Sequence, residues 1–150
     1  MKKSCIAAAL LLAATGVWAA GPAASRDLPA GHPSVNPAAE IGDVRVSKAS
    51  GPNAKTVEEI IAQRAQLKDK PVVVRGKVVK FLSGIMNKNW LHLRDGTGDE
   101  AKGTNDILIT TSGEAKPGEV VIVNGTVRTD KDFGSGYAYD VMVEDGAITR

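Results

Sequence analysis

The run Asn89-Trp90-Leu91-His92-Leu93-Arg94-Asp95 carries an indole, an imidazole and a guanidinium at every second position. In an extended strand, successive side chains point to opposite faces. Trp90, His92 and Arg94 then share one face, and Asn89, Leu91 and Leu93 the other. Such a trio can stack on a flat group, donate hydrogen bonds and bring positive charge to an anion. It can equally serve structure, the indole covering the protein body beneath an N-terminal segment or helix while the imidazole bonds a neighbour. Sequence alone leaves both readings open.

Other motifs that look catalytic lack their partners. Asp95-Gly96-Thr97-Gly98 resembles an aspartic-protease tetrad, but that chemistry needs two carboxylates sharing a proton, and the chain holds no second motif of this kind. Asp132-Phe133-Gly134 has no accompanying ATP loop or catalytic loop. Both stretches carry ordinary turn chemistry. The single cysteine, Cys5, precedes the N-terminal apolar run, which excludes lipid attachment there and leaves no thiolate beyond it. His32, His92, Met86 and Met142 are soft donors suited to copper(I), without a recognisable ligand spacing. Asn124-Gly125-Thr126 matches a glycosylation sequon by pattern only. No nucleophile–base pair emerges, so the expectation is a non-enzymatic protein without a cofactor.

The elements that must position the candidate face follow from periodicity. Residues 1–19 run from Lys2 and Lys3 through an apolar stretch to small residues, the pattern of a cleavable signal peptide. The chain has 19 Lys plus Arg and 17 Asp plus Glu, and removing Lys2 and Lys3 leaves a formally neutral protein. A global basic field that would draw it to nucleic acid or anionic lipid is absent. Residues 20–54 form an Ala/Pro-rich flexible tether with a short strand at 41–48. Thr56 and Glu59 make a capping box for an amphipathic helix over 56–67, with Val57, Ile60, Ile61, Ala65 and Leu67 as its apolar stripe.

From Pro71 onward the pattern predicts strands at 71–82, 88–94, 106–112, 119–129 and 137–148. Val72–Val78 and Val121–Val127 share the pattern V-x-V-x-G-x-V. Asn124-Gly125 alone would signal a hairpin, but the repeat favours glycine kinks inside two long, coiled strands. The fold class is therefore mainly β: a five-stranded barrel of the oligonucleotide/oligosaccharide-binding (OB) type over 55–150, preceded by one amphipathic helix that plugs one end. On such a barrel the loops at 82–89 and 130–140 flank the outer face of the second and third strands. Met86, Asn87, Asn89, Trp90, His92, Arg94, Phe133 and Tyr137 then converge as a ligand-binding surface. Alternatively, Phe133 and the tyrosines fill the barrel mouth.

The motifs N-W-x-H-L-x-D-G-T-G and D-F-G-x-G-Y-x-Y, with the helix and first strand before them, resemble a family of small exported bacterial OB-fold proteins described as NrfJ-like or nucleic-acid-binding. The resemblance spans about residues 55–149. It implies the fold and export to the periplasm, and little mechanism. The expectation is a periplasmic binding module, free of the membrane after signal cleavage, that recognises a ligand or protein partner. A single-stranded nucleic-acid-binding protein is the alternative, with Trp90 stacking a base and Lys77, Lys80, Lys88 and Arg94 near phosphates. A copper-binding protein ranks third.

Overall fold

The computed structural model describes residues 41–150. The expected signal peptide and the first part of the expected tether lie outside the described residues. Five strands carry the fold: β1 (Pro71–Ile85), β2 (Lys88–Arg94), β3 (Ile107–Thr111), β4 (Val120–Asp132) and β5 (Ala138–Thr149). The sheet closes on itself in the order β1-β2-β3-β5-β4. β1 makes closure feasible: its first half pairs with β4 (Pro71↔Thr126 to Lys77↔Val120), its second half with β2 (Lys77↔Arg94 to Ile85↔Lys88). Register shifts at Val78/Lys80 and Leu82/Ile85 bend it between the two partners.

Alternation fills the interior. Val72, Val74, Val78, Leu91, Leu93, Ile107, Ile109, Val121, Val123, Val127 and Val143 are buried in one cluster. Each such fully buried aliphatic side chain contributes about 1.5–3 kcal/mol relative to exposure. Both glycines of the repeat lie against a close neighbour, but only Gly125 sits at a register shift, since β1 shifts at Val78/Lys80, beyond Gly76. A Cβ at Gly76 would meet Arg94 O at 2.7 Å, and one at Gly125 would meet Val143 Cγ1 at 2.5 Å. The β4–β5 register also shifts between Asn124 and Thr126, so Gly125 sits at a bulge and not in a hairpin turn.

The expected helix over 56–67 is interrupted. It forms as α1 (Val57–Ala62) and α2 (Arg64–Leu67), separated at Gln63. The capping box is present, with Thr56 Oγ1 accepting from Glu59 N and Glu59 Oε2 accepting from Thr56 N. Val57 and Ile60 join the barrel core, and Ile61 and Leu67 pack against it. Ala65, expected in the apolar stripe, is exposed. Among the described residues no helix is long and apolar enough to cross a membrane.

The expected strand at 41–48 does not form. Much of β1's hydrogen-bonding edge is already taken by β2 and β4, and the segment is held by isolated contacts instead. Val46 donates to Asp95 O at 2.9 Å, and Arg75 donates to Ser47 O at 3.3 Å. Farther on, a single parallel bridge pairs Ala54 with Val73. The last part of the expected tether is thus docked on the barrel.

Asp95 ties these pieces together. Its carboxylate is 3% exposed and accepts from Val57 N at 2.9 Å, Thr97 N at 2.9 Å and Thr97 Oγ1 at 2.6 Å. Thr97 Oγ1 in turn accepts from Glu58 N at 3.1 Å. The first N–H groups of α1, which lack partners within the helix, are therefore satisfied by the Asp95-Gly96-Thr97 turn and by Thr56. Replacing Asp95 with Ala strands a buried donor at Val57 and two half-buried ones at Thr97. We expect Asp95→Ala to lose about 2–4 kcal/mol in urea unfolding, and Asp95→Asn, which keeps one acceptor, to lose less. Equal stability of all three proteins would contradict this role.

Candidate functional site

The outer face of β2 divides into an aromatic half and a polar half. In the aromatic half, Trp90 is 4% exposed and donates from Nε1 to Ile85 O at 2.8 Å. Phe133 meets it edge-on with ring centroids 5.1 Å apart, and Tyr139 lies at 6.0 Å. Leu108 and Met142 complete the buried cluster, with Leu82 and Ile85 packed against it. Trp90 is therefore not an exposed stacking platform. It covers the barrel, though beneath the end of β1 and the β4–β5 hairpin, not beneath an N-terminal segment or helix. Burial, then the neighbouring Tyr137, push the Tyr139 phenol above its ordinary range.

The polar half is organised by Asp106, immediately before β3. His92 Nδ1 lies 2.6 Å from Asp106 Oδ1, and Arg94 Nε donates to Oδ2 at 3.1 Å. A carboxylate can only accept, so Nδ1 carries the proton and Nε2 is left without a partner among the described residues. The juxtaposition follows from register. Leu93 pairs with Ile107, which sets Arg94 opposite Asp106, and Lys80 pairs with His92 from the other side. Burial alone would raise the Asp106 carboxyl. The hydrogen bond and charge of His92, then those of Arg94, outweigh it and hold the group below its ordinary value.

Two clefts share His92 and Asp106. One, of about 300 Å³, adds Val79, Lys80 and Arg94. The other, of about 560 Å³, runs toward β5 and adds Arg64, Lys102, Leu108, Tyr139 and Val141. A larger cleft of about 820 Å³ lies between residues 41–44 and the Gly96–Gly98 turn, lined mostly by turn residues with Asp43 and Glu100. It holds no comparable polar cluster.

The eight residues singled out by sequence separate into groups. Trp90 and Phe133 meet in the aromatic cluster, and His92 and Arg94 meet through Asp106. Asn89 is spent on structure: its Nδ2 donates to Gly113 O at 2.9 Å and its Oδ1 accepts from Gly84 N at 3.2 Å. Met86 and Asn87 form the two-residue turn of the β1–β2 hairpin, with φ of 53° and 59°. Met86 and Tyr137 are exposed at their turns. Met142, a proposed copper donor, is fully buried against apolar neighbours, and His32 lies outside the described residues. Among the described residues no group of three or more His, Cys, Asp or Glu side chains is placed to hold a metal ion.

Sequence reasoning missed Asp106. Its signal was available only through register, as the acidic residue at the start of the strand facing His92 and Arg94. No protein-family model matches the chain, and no curated protein is significantly similar to it.

The Asp106 interaction makes stability depend on pH with a definite sign. Because its folded value is depressed, the unfolded chain takes up the proton first as pH falls. The stabilisation is fully present above the ordinary value of 3.8 and is lost as pH drops through the folded value. In acid titrations followed by unfolding, Asp106→Asn should show a shallower loss of stability below that point than the parent. An unchanged acid limb would remove Asp106 from the linkage.

Proposed function

We propose that this is an exported, non-enzymatic binding module of the OB type that recognises a ligand or protein partner through the outer face of β2 and β3. The strand order, with β1 paired to both β2 and β4, supports the OB assignment. The resemblance to NrfJ-like exported proteins and the signal-like N-terminus support export to the periplasm. One observation carries the binding reading: His92, Asp106 and Arg94 form a bonded polar trio where two clefts meet, beside a packed aromatic cluster. Preorganised polar groups in a concave, partly apolar surface are what small or extended ligands require.

The nucleic-acid reading ranks second. It draws on an exposed ring and free cations, whereas Trp90 is covered and Lys88 and Arg94 are engaged by Asp145 and Asp106.

The test is a nitrogen-15 NMR titration with an acidic peptide, an oligothymidylate and an oligosaccharide in turn. Amide shifts on binding should centre on His92, Asp106 and Leu108, and His92→Ala should weaken the bound probe about tenfold, near 1.4 kcal/mol. Binding that shifts only residues remote from β2 and β3, such as Val120, would refute the assignment of the face.

A further inference from the structure

We propose that the cleft between β3 and β5 receives an acidic peptide in extended form, added as a strand to the unpaired edge of β5. The inference rests on the reading of the β2–β3 face as a binding surface and names its ligand class.

The first support is a mismatch of lengths. β3 has five residues and β5 has twelve, and their parallel pairing is registered only at Ile109↔Val143. Toward β4, Ala138, Tyr139 and Val141 pair with Asp132, Lys131 and Thr129. Toward β3, no sheet partner meets Ala138–Val141 among the described residues. A strand paired on one side only presents a row of free N–H and C=O groups on the other. Ala138–Val141 also line the solvent-open cleft of about 560 Å³, so the unpaired edge borders space that an incoming strand can enter.

The second support is chemical. A strand edge offers donors and acceptors in alternation, which another peptide backbone matches group for group. A sugar–phosphate backbone offers acceptors almost exclusively, so it would leave the β5 carbonyls unpaired. Leu108, Tyr139 and Val141 line the same cleft and provide apolar contact for alternate side chains of the incoming strand.

Charge selects the peptide. Around the two joined clefts stand four cations, Arg64, Lys80, Arg94 and Lys102, against two carboxylates, Asp106 and Asp140. Both carboxylates are already engaged, Asp106 by His92 and Arg94 and Asp140 by Arg64 at 3.6 Å. Lys102 pairs with Asp99 at 3.6 Å, as Arg64 does with Asp140, so the cation left over is Lys80, which has no ion pair among the described residues. The surplus is positive and complements acidic side chains.

The probe is an acetylated hexapeptide of alternating Glu and Val, followed by fluorescence anisotropy and by amide hydrogen exchange on the full chain. It should bind in a salt-sensitive manner and slow exchange within Ala138–Val141 about tenfold. Two versions, N-methylated at either the Glu or the Val positions, test main-chain pairing without altering the protein. One should lose about tenfold in affinity while the other retains it. Lys80→Glu with Lys102→Glu should weaken the parent probe about tenfold with unfolding unchanged. The proposal falls if the probe fails to bind at millimolar concentration, if both methylated versions bind like the parent, or if an oligothymidylate takes the cleft in preference. Probe shifts at His92 and Asp106 without protection of β5 would overturn the strand-addition proposal alone. Shifts at neither would overturn the assignment of the face as well.

Discussion

The interaction on which the arrangement most depends is the buried carboxylate of Asp95 at the start of α1. Its charge is met by N–H and O–H donors and by the positive end of a helix, not by a cation. α1 has six residues, far below the length at which a helix persists alone. Its order must come from outside, and the Asp95-Gly96-Thr97 turn supplies it by satisfying Val57 and Glu58 N–H. Once α1 is fixed, Val57 and Ile60 complete the barrel core. Gly96, at φ 92°, lets the turn lie against Val44, where any Cβ would run into the Val44 carbonyl oxygen. A motif with the look of catalysis is thus a joint between strand, helix and N-terminal segment.

The same economy of contacts shapes the outer face. A closed barrel satisfies backbone groups only where strands run side by side, and β3 is too short to follow β5 along its length. The aromatic cluster of Trp90, Phe133 and Tyr139, with Leu108 and Met142, covers one part of the exterior and anchors the β4–β5 hairpin against β2. Beyond it the surface is concave and polar, and Asp106 holds His92 and Arg94 in place through charge-assisted bonds.

The strands were legible because valine alternation and turn glycines are local signals. The stretch 88–94 has the bounds that β2 shows, and the Val-Gly repeat points to strand kinks, of which the one at Gly125 coincides with a register shift. The break at Gln63 was not legible, since it depends on how α2 meets the barrel and not on propensity. Period two assigned Trp90 and His92 to the outer face correctly. It does not say what covers that face: Trp90 is buried by Leu82 and Ile85 nearby in sequence together with Phe133, Tyr139 and Met142 from more than forty positions away, whereas His92 stays open to two clefts. Asp106 was missed for a related reason. Its role exists only once β2 and β3 are in register.

Overall charge and local charge lead to different conclusions here. The chain carries a formal +2, too little to organise long-range attraction. Over distances shorter than the roughly 8–10 Å screening length in salt, however, the arrangement of a few side chains decides the field. Asp106 neutralises Arg94 and fixes His92, and Arg64 neutralises Asp140. Lys80, set beside His92 by register, is left to give the groove its sign. On the proposed reading, a nearly neutral protein would discriminate by charge at one cleft once the partner is close enough to touch it. This favours recognition at contact over electrostatic steering from a distance.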